Sequence, residues 1–242
     1  MRIEEKRERV FIVLAAFFFG SMTLLNVVGL TRFIQLGPLA LAVGVLPYPI
    51  TFLITDLISE LYGKSRANFV VWVGLALNVF VIVFLFLGQW ASSVPEMAQP
   101  PWQVLYLAKP VALPSGAQVA GSVDLFYLIY ACASGSVLAS MLAYIAAQFF
   151  DVQIFHYLKR KTRGKALWLR NNVSTLCSQG IDSIVVISVT FGNSLVSGQM
   201  EPASFFLLMG SNYLFKMCAA LLDTLPLYFL VYRLRSYLQI PQ

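Results

Sequence analysis

The feature that most constrains this chain is the gathering of its apolar residues into long runs. A soluble helix or strand keeps a polar face, so its hydrophobic residues recur with a period of 3.6 or 2. Here stretches such as VFIVLAAFFFGSMTLLNVVGL and NFVVWVGLALNVFVIVFLFLGQW are almost entirely apolar around their whole circumference. A hydrocarbon core needs about 20 such residues to be crossed by a helix, because only helices and closed barrels satisfy every backbone group there. The sequence therefore predicts an all-α integral membrane protein. Composition agrees: the chain is 59% hydrophobic and 12% charged, where a soluble domain carries about 25% charge.

Six spans can be drawn in one membrane domain covering residues 1–242: Val10–Leu30, Leu36–Leu61, Asn68–Trp90, Leu125–Phe149, Asn171–Val196 and Ala203–Tyr232. The net charge of +6 does not call for nucleic acid, because the basic residues sit beside the apolar runs. Arg2, Lys6, Arg7 and Arg9 precede the first span, and Lys64 and Arg66 follow the second. Lys159, Arg160, Lys161, Arg163, Lys165 and Arg170 join the fourth to the fifth, and Arg233 and Arg235 follow the sixth. The opposite loops offer only Arg32 and Lys109. The positive-inside rule then puts both termini in the cytoplasm. The first run is too long and too mixed in flanking charge for a cleaved signal peptide. Cys132, Cys177 and Cys218 lie in separate apolar runs and form neither a disulfide framework nor a metal spacing.

Against this apolar background, a few polar side chains stand out. In NNVSTLCSQGID, residues Asn171, Ser174, Thr175, Ser178, Gln179 and Asp182 fall on one side of a helix. A charged residue at mid-span costs roughly 2.5–3.5 kcal/mol on insertion scales, so this stripe should face protein, water or ligand. In the second span, Pro47 and Pro49 of LPYPIT each remove a backbone donor, which predicts a broken helix. Beyond them Phe52, Asp56 and Glu60 share one face at i, i+4, i+8, and Gly63 reads as the helix stop. Asn78 lies about halfway along the third span, where an amide is either a partner for a neighbouring helix or a ligand contact.

The segment Ala91–Asp124 carries Pro95, Pro100, Pro101, Pro110 and Pro114 and is not expected to be one helix; it could cover the outer mouth. In the fourth span Ala131, Gly135, Ala139, Ala143 and Ala147 form a small-residue strip suited to close helix approach, which leaves a homodimer open. Tyr144, Gln148, Asp151 and Phe155 mark a neighbouring face, and the helix is expected to run on to about Lys159. The sixth span holds Asn212, Lys216 and Asp223 on one face. Lys216 is expected to pair with a neighbouring carboxylate such as Asp182 or Asp56, as a structural tie, a coupling device, or both.

Acids and amides thus converge from at least four spans at similar depth, which points to a polar cavity in a transporter, with no cofactor. Carboxylates offer two parallel acceptors, amides both donors and acceptors, and Phe52, Tyr144 or Phe155 a ring to stack on. A purine edge, a cationic solute and a sugar all fit that description. No GxxxxGK[ST] loop is present for an ATP-driven pump. An intramembrane enzyme would need a nucleophile–base pair or metal ligands, which one histidine and scattered cysteines do not supply.

Two blocks narrow the choice. VLPYPITFLITDLISELYGKSRA, and AQFFDVQIFHYLK followed by KALWLRNN and STLCSQGIDS, resemble the vitamin uptake transporter family of bacterial queuosine precursor transporters. The resemblance implies a multi-pass inner-membrane protein importing 7-deazaguanines: 7-cyano-7-deazaguanine, 7-aminomethyl-7-deazaguanine or queuine, which feed a modified tRNA nucleoside. It implies substrate contacts at Asp56, Glu60, Gln148, Asp151, Asn172, Ser174, Gln179 and Asp182. The remaining alternative within transport is the membrane substrate-binding subunit of an energy-coupling factor transporter, which would borrow a separate ATPase.

Overall fold

The computed structural model describes residues 2–162 and 167–240. Six helical segments among them are long and apolar enough to cross a membrane. Helix α1 spans Ile3–Val27, α2 Tyr48–Tyr62, α3 Lys64–Trp90, α4 Leu125–Lys161, α5 Leu167–Val196, α6 Pro202–Leu222 and α7 Thr224–Leu238. Outside the helices, the described residues form three small two-stranded sheets.

Between α1 and α2 the chain departs from the single span read over Leu36–Leu61. Strands β1 (Phe33–Leu36) and β2 (Leu39–Ala42) form an antiparallel hairpin with Leu36 opposite Leu39. Gly37, at φ 57°, takes the left-handed place in its two-residue turn, and Pro38 bars helix from continuing through it. A single 3-10 turn follows at Val43–Val45, and α2 begins at Tyr48 with Pro47 at its N-cap and Pro49 in its first turn. There a missing backbone N–H costs nothing.

The hairpin is packed against the helices. Leu41 is 1% exposed, Ala40 N–H donates to Ser211 Oγ of α6 over 3.2 Å, and the Phe33 ring lies 6.0 Å from Phe191 of α5. Its base is fixed by a Gly44 N–H donated to Gly29 O over 3.1 Å. Only the β2 side is seated this way; Phe33, Gln35, Leu36 and the turn at Gly37 and Pro38 stay exposed.

Two apolar clusters hold the first four helices together. Ala15 and Phe18 of α1 pack with Ile54 and Ile58 of α2 and with Ala67 and Val70 of α3. Val81 and Leu85 of α3 pack with Ala133 and Val137 of α4. Helix α4 is unbroken for 37 residues, about 55 Å at 1.5 Å per residue, so it outruns a bilayer core. Ala139, Ala143 and Ala147 of its small-residue strip are buried within the chain. Those three serve internal packing, while Ala131 and Gly135, nearer the start of the helix, are only half-buried.

The span read at Ala203–Tyr232 lies within one membrane-length segment, Pro202–Leu238, and the helix in it is interrupted at Asp223, where α6 ends and α7 begins. Pro226 explains the interruption: it has no N–H for the Leu222 carbonyl, and its ring collides with a carbonyl four residues back. Restarting at Thr224 places the proline in a first turn, where it is tolerated.

The proline-rich segment after α3 folds as two nested strand pairs. The outer pair is β3 (Val104–Tyr106) with β6 (Ser122–Asp124), the inner β4 (Val111–Ala112) with β5 (Gln118–Val119). The tip between β4 and β5 rests on the end of α5. Asn193 and Ser194 donate to the carbonyls of Ser115 and Pro114, and Gln199 donates to the Gly116 carbonyl. Asp124 then caps α4, accepting from Phe126 N–H over 2.7 Å.

Candidate functional site

Asp182 and Gln179 project from α5 at i, i+3, so they share a face. Lys216 of α6 meets that face and donates to Asp182 Oδ2. The pair is well shielded, with Lys216 4% and the Asp182 side chain 13% exposed. One turn before Lys216, Asn212 donates its amide to Ser183 Oγ over 3.2 Å. Residues 179, 182 and 183 of α5 therefore register against 212 and 216 of α6.

Tyr48 closes the third side. It is the first residue of α2, aimed by the turn at Pro47, and its hydroxyl donates to Gln179 Oε1 over 2.9 Å. Its ring face lies 4.2 Å from Lys216 Nζ, well inside the range of a cation–π contact. Phe52, one turn further along α2, stands edge-on to Tyr48 with ring centroids 4.5 Å apart. Three helices thus bring together a carboxylate, an amide, an ammonium and two aromatic rings.

The electrostatics follow from the burial. Each ion alone would carry a desolvation cost of several kcal/mol, and removing one partner strands the other. The ring and the carboxylate share the ammonium, while Gln179 engages the tyrosine hydroxyl. A carboxylate accepts and an amide both accepts and donates, so these groups can do both at the face of a ring.

Other residues named from the sequence lie apart from this cluster. Asn78 accepts from Asn26 of α1 over 3.0 Å, and Ser140 of α4 donates to Asn26 over 2.9 Å; all three are occupied in a knot between helices. Glu60 pairs with Arg235 of α7. This is at the end of the bundle where Tyr62 donates to the Arg7 carbonyl and Lys6 sits over Tyr237. Asp56 is exposed on α2. Among the described residues, Asp223 Oδ2 is buried without a hydrogen-bond partner. Tyr144 is 37% exposed and joins none of these contacts. The side chains of Gln148, Asp151, Phe155, Asn172 and Ser174 lie outside the described residues. A groove of about 910 Å³ at the N-terminal end, lined by Glu4, Arg7, Leu61, Tyr62 and Arg66 among others, shares no residue with the Lys216 cluster.

Sequence reasoning missed Tyr48, Ser183 and Asn26. Tyr48 was visible only as the residue between two prolines, four before Phe52.

A family model described as "Putative vitamin uptake transporter" matches residues 42–231, a range that contains Tyr48, Gln179, Asp182 and Lys216. A Bacillus subtilis (strain 168) protein named "Probable queuosine precursor transporter" is 27% identical over 229 residues, covering 88% of this chain and 86% of its own length. No solved structure matches significantly.

Proposed function

Starting from the chain's membership of the vitamin uptake transporter family, matched over residues 42–231, we propose that it imports 7-deazaguanine precursors of queuosine. It is a multi-pass membrane transporter; the inner membrane, the cytoplasmic termini and the identity of the base belong to this proposal. The name of the Bacillus subtilis relative supports the substrate class.

The observation that carries the reading is the Asp182–Gln179 face, buried between α5 and α6 and walled by aromatic rings. A guanine-type edge presents two adjacent N–H donors, which one carboxylate accepts side by side. Its ring carbonyl and ring nitrogen suit the amide of Gln179 and others along the stripe, and its faces suit the aromatic wall to which Phe52 belongs. Asp56, Glu60, Gln148, Asp151, Asn172 and Ser174 would line the route on either side, and Lys216 with Asp223 would serve coupling.

The test is thermal stability of the detergent-purified protein against guanine, 7-cyano-7-deazaguanine, 7-aminomethyl-7-deazaguanine, queuine and adenine. A ligand binding only the folded state raises the melting temperature by mass action. The expected result is stabilisation by the deazaguanines and none by adenine, with loss of the response in Asp182→Asn, which puts a donor against a donor. Equal stabilisation of wild type and Asp182→Asn would remove Asp182 from the site.

A further inference from the structure

We propose that Tyr48 is the stacking platform of the binding site, and that Lys216 occupies the place on Tyr48 and Asp182 that a planar base takes. Binding then proceeds by displacing the ammonium. This rests on the base-transport reading above.

The geometry carries it. A planar heterocycle with N–H donors asks for two things at right angles, a carboxylate in the plane of its edge and an aromatic face beneath the ring. Lys216 Nζ already holds both, donating to Asp182 while lying 4.2 Å from the Tyr48 centroid. An ammonium and a ring cannot share that face of Tyr48 or the same carboxylate oxygen, so the two occupants exclude one another. Both ligands of the lysine are therefore the attachment points of the substrate.

The exchange falls to a flexible side chain, because the lysine stem is unbranched and the ammonium can swing on it. Tyr48 is held in place by means that do not involve Lys216. Its hydroxyl is tied to Gln179 and its carbonyl accepts from Thr51 Oγ1 over 2.7 Å. Phe52 buttresses its edge. The platform stays while its occupant changes.

Such an arrangement sets affinity. A fraction of molecules with the ammonium seated is not competent to bind, and apparent affinity falls by the competent fraction. Removing the ammonium should tighten binding; removing the ring should weaken it. Tyr48 is then a specificity residue selecting flat solutes, and Lys216 an internal competitor that lets a tightly held base be released.

The test measures dissociation constants of full-length protein in detergent for guanine and 7-cyano-7-deazaguanine. The proteins are wild type, Tyr48→Phe, Tyr48→Leu, Lys216→Met, Lys216→Gln and Lys216→Arg. Tyr48→Phe keeps the ring and should bind within about threefold of wild type. Tyr48→Leu should bind about tenfold or more weakly, from the loss of one stacked base. Lys216→Met and Lys216→Gln should bind about tenfold tighter, and Lys216→Arg, which keeps a cation on the ring, near wild type. Lys216→Gln covers the case in which Lys216→Met does not fold. Weaker binding in both neutral lysine variants would make Lys216 a substrate contact and overturn the displacement. Unchanged binding in Tyr48→Leu would overturn the platform. Failure of wild type to bind either base would overturn both, together with the base-transport reading on which they rest.

Discussion

The amide of Asn26 on α1 donates to the amide oxygen of Asn78 on α3, with both residues at or below 2% exposure. Ser140 of α4 completes the chain by donating to Asn26. Polar side chains joined this way across apolar helices contribute about 0.6–2 kcal/mol each, because their alternative is an unmet group in hydrocarbon. Asn78→Ala should lower stability by about 1–2 kcal/mol by leaving Asn26 half satisfied. Uptake per folded molecule should stay at the wild-type level. Loss of uptake from a protein of normal stability would instead make Asn78 a ligand contact.

The Lys216–Asp182 pair predicts strong coupling between two substitutions. Lys216→Met leaves a buried carboxylate without its cation, and breaking such a pair costs about 3–5 kcal/mol. Adding Asp182→Asn removes the stranded charge, so the double variant should recover most of the melting temperature. It should not recover the base binding proposed above, in which the carboxylate is the acceptor. Additive losses in the double variant would mean that the two side chains do not depend on one another.

The six apolar runs were legible because hydropathy reads how a segment is solvated, and solvation decides whether it can cross a bilayer. Hydropathy does not read backbone donors, which is why two interruptions escaped it. LGPLALAV is as apolar as a helix, yet its Gly-Pro turn makes a hairpin. Pro226 lies in a run that reads as one span, yet it ends α6 at Asp223. The site was legible in part. A stripe ending in Asp182 and a lysine within an apolar helix each demand a partner, and Lys216 takes Asp182. Tyr48 was not legible, because a tyrosine beside prolines in an apolar segment announces no unmet charge. Its role comes from three helices meeting at its ring. Asn26 was hidden for a similar reason: its need is met by Asn78, fifty-two residues away.

Glu60 separates the resemblance from the geometry. The resemblance puts it at the substrate, whereas here it pairs with Arg235 at the end of the bundle, with side chains 52% and 28% exposed. An ion pair this open is worth about 1 kcal/mol or less. Glu60→Gln should therefore shift stability by no more than that, and should leave the dissociation constant for a deazaguanine unchanged. A tenfold loss of affinity would return Glu60 to the binding site.

Gly44 and Gly20 make a matched pair for testing whether the hairpin must sit tightly against α1. A Cβ on Gly44 would lie 2.6 Å from Gly29 Cα and 2.7 Å from the Leu25 carbonyl, with backbone on both sides and no flexible side chain to give way. A Cβ on Gly20, within the same α1, meets nothing within 4 Å. Gly44→Ala should cost about 1–3 kcal/mol, as overpacking does, while Gly20→Ala should be neutral or gain up to about 1 kcal/mol of helix propensity. The functional effect should also differ. Pushing the base of the hairpin away from α1 strains the Ala40 N–H to Ser211 contact, and Ser211 adjoins Asn212, which sets α6 against Ser183. Uptake in Gly44→Ala should fall further than its folded amount. If Gly44→Ala matches Gly20→Ala in melting temperature and uptake, the close seat of the hairpin is not what aligns α6 with α5.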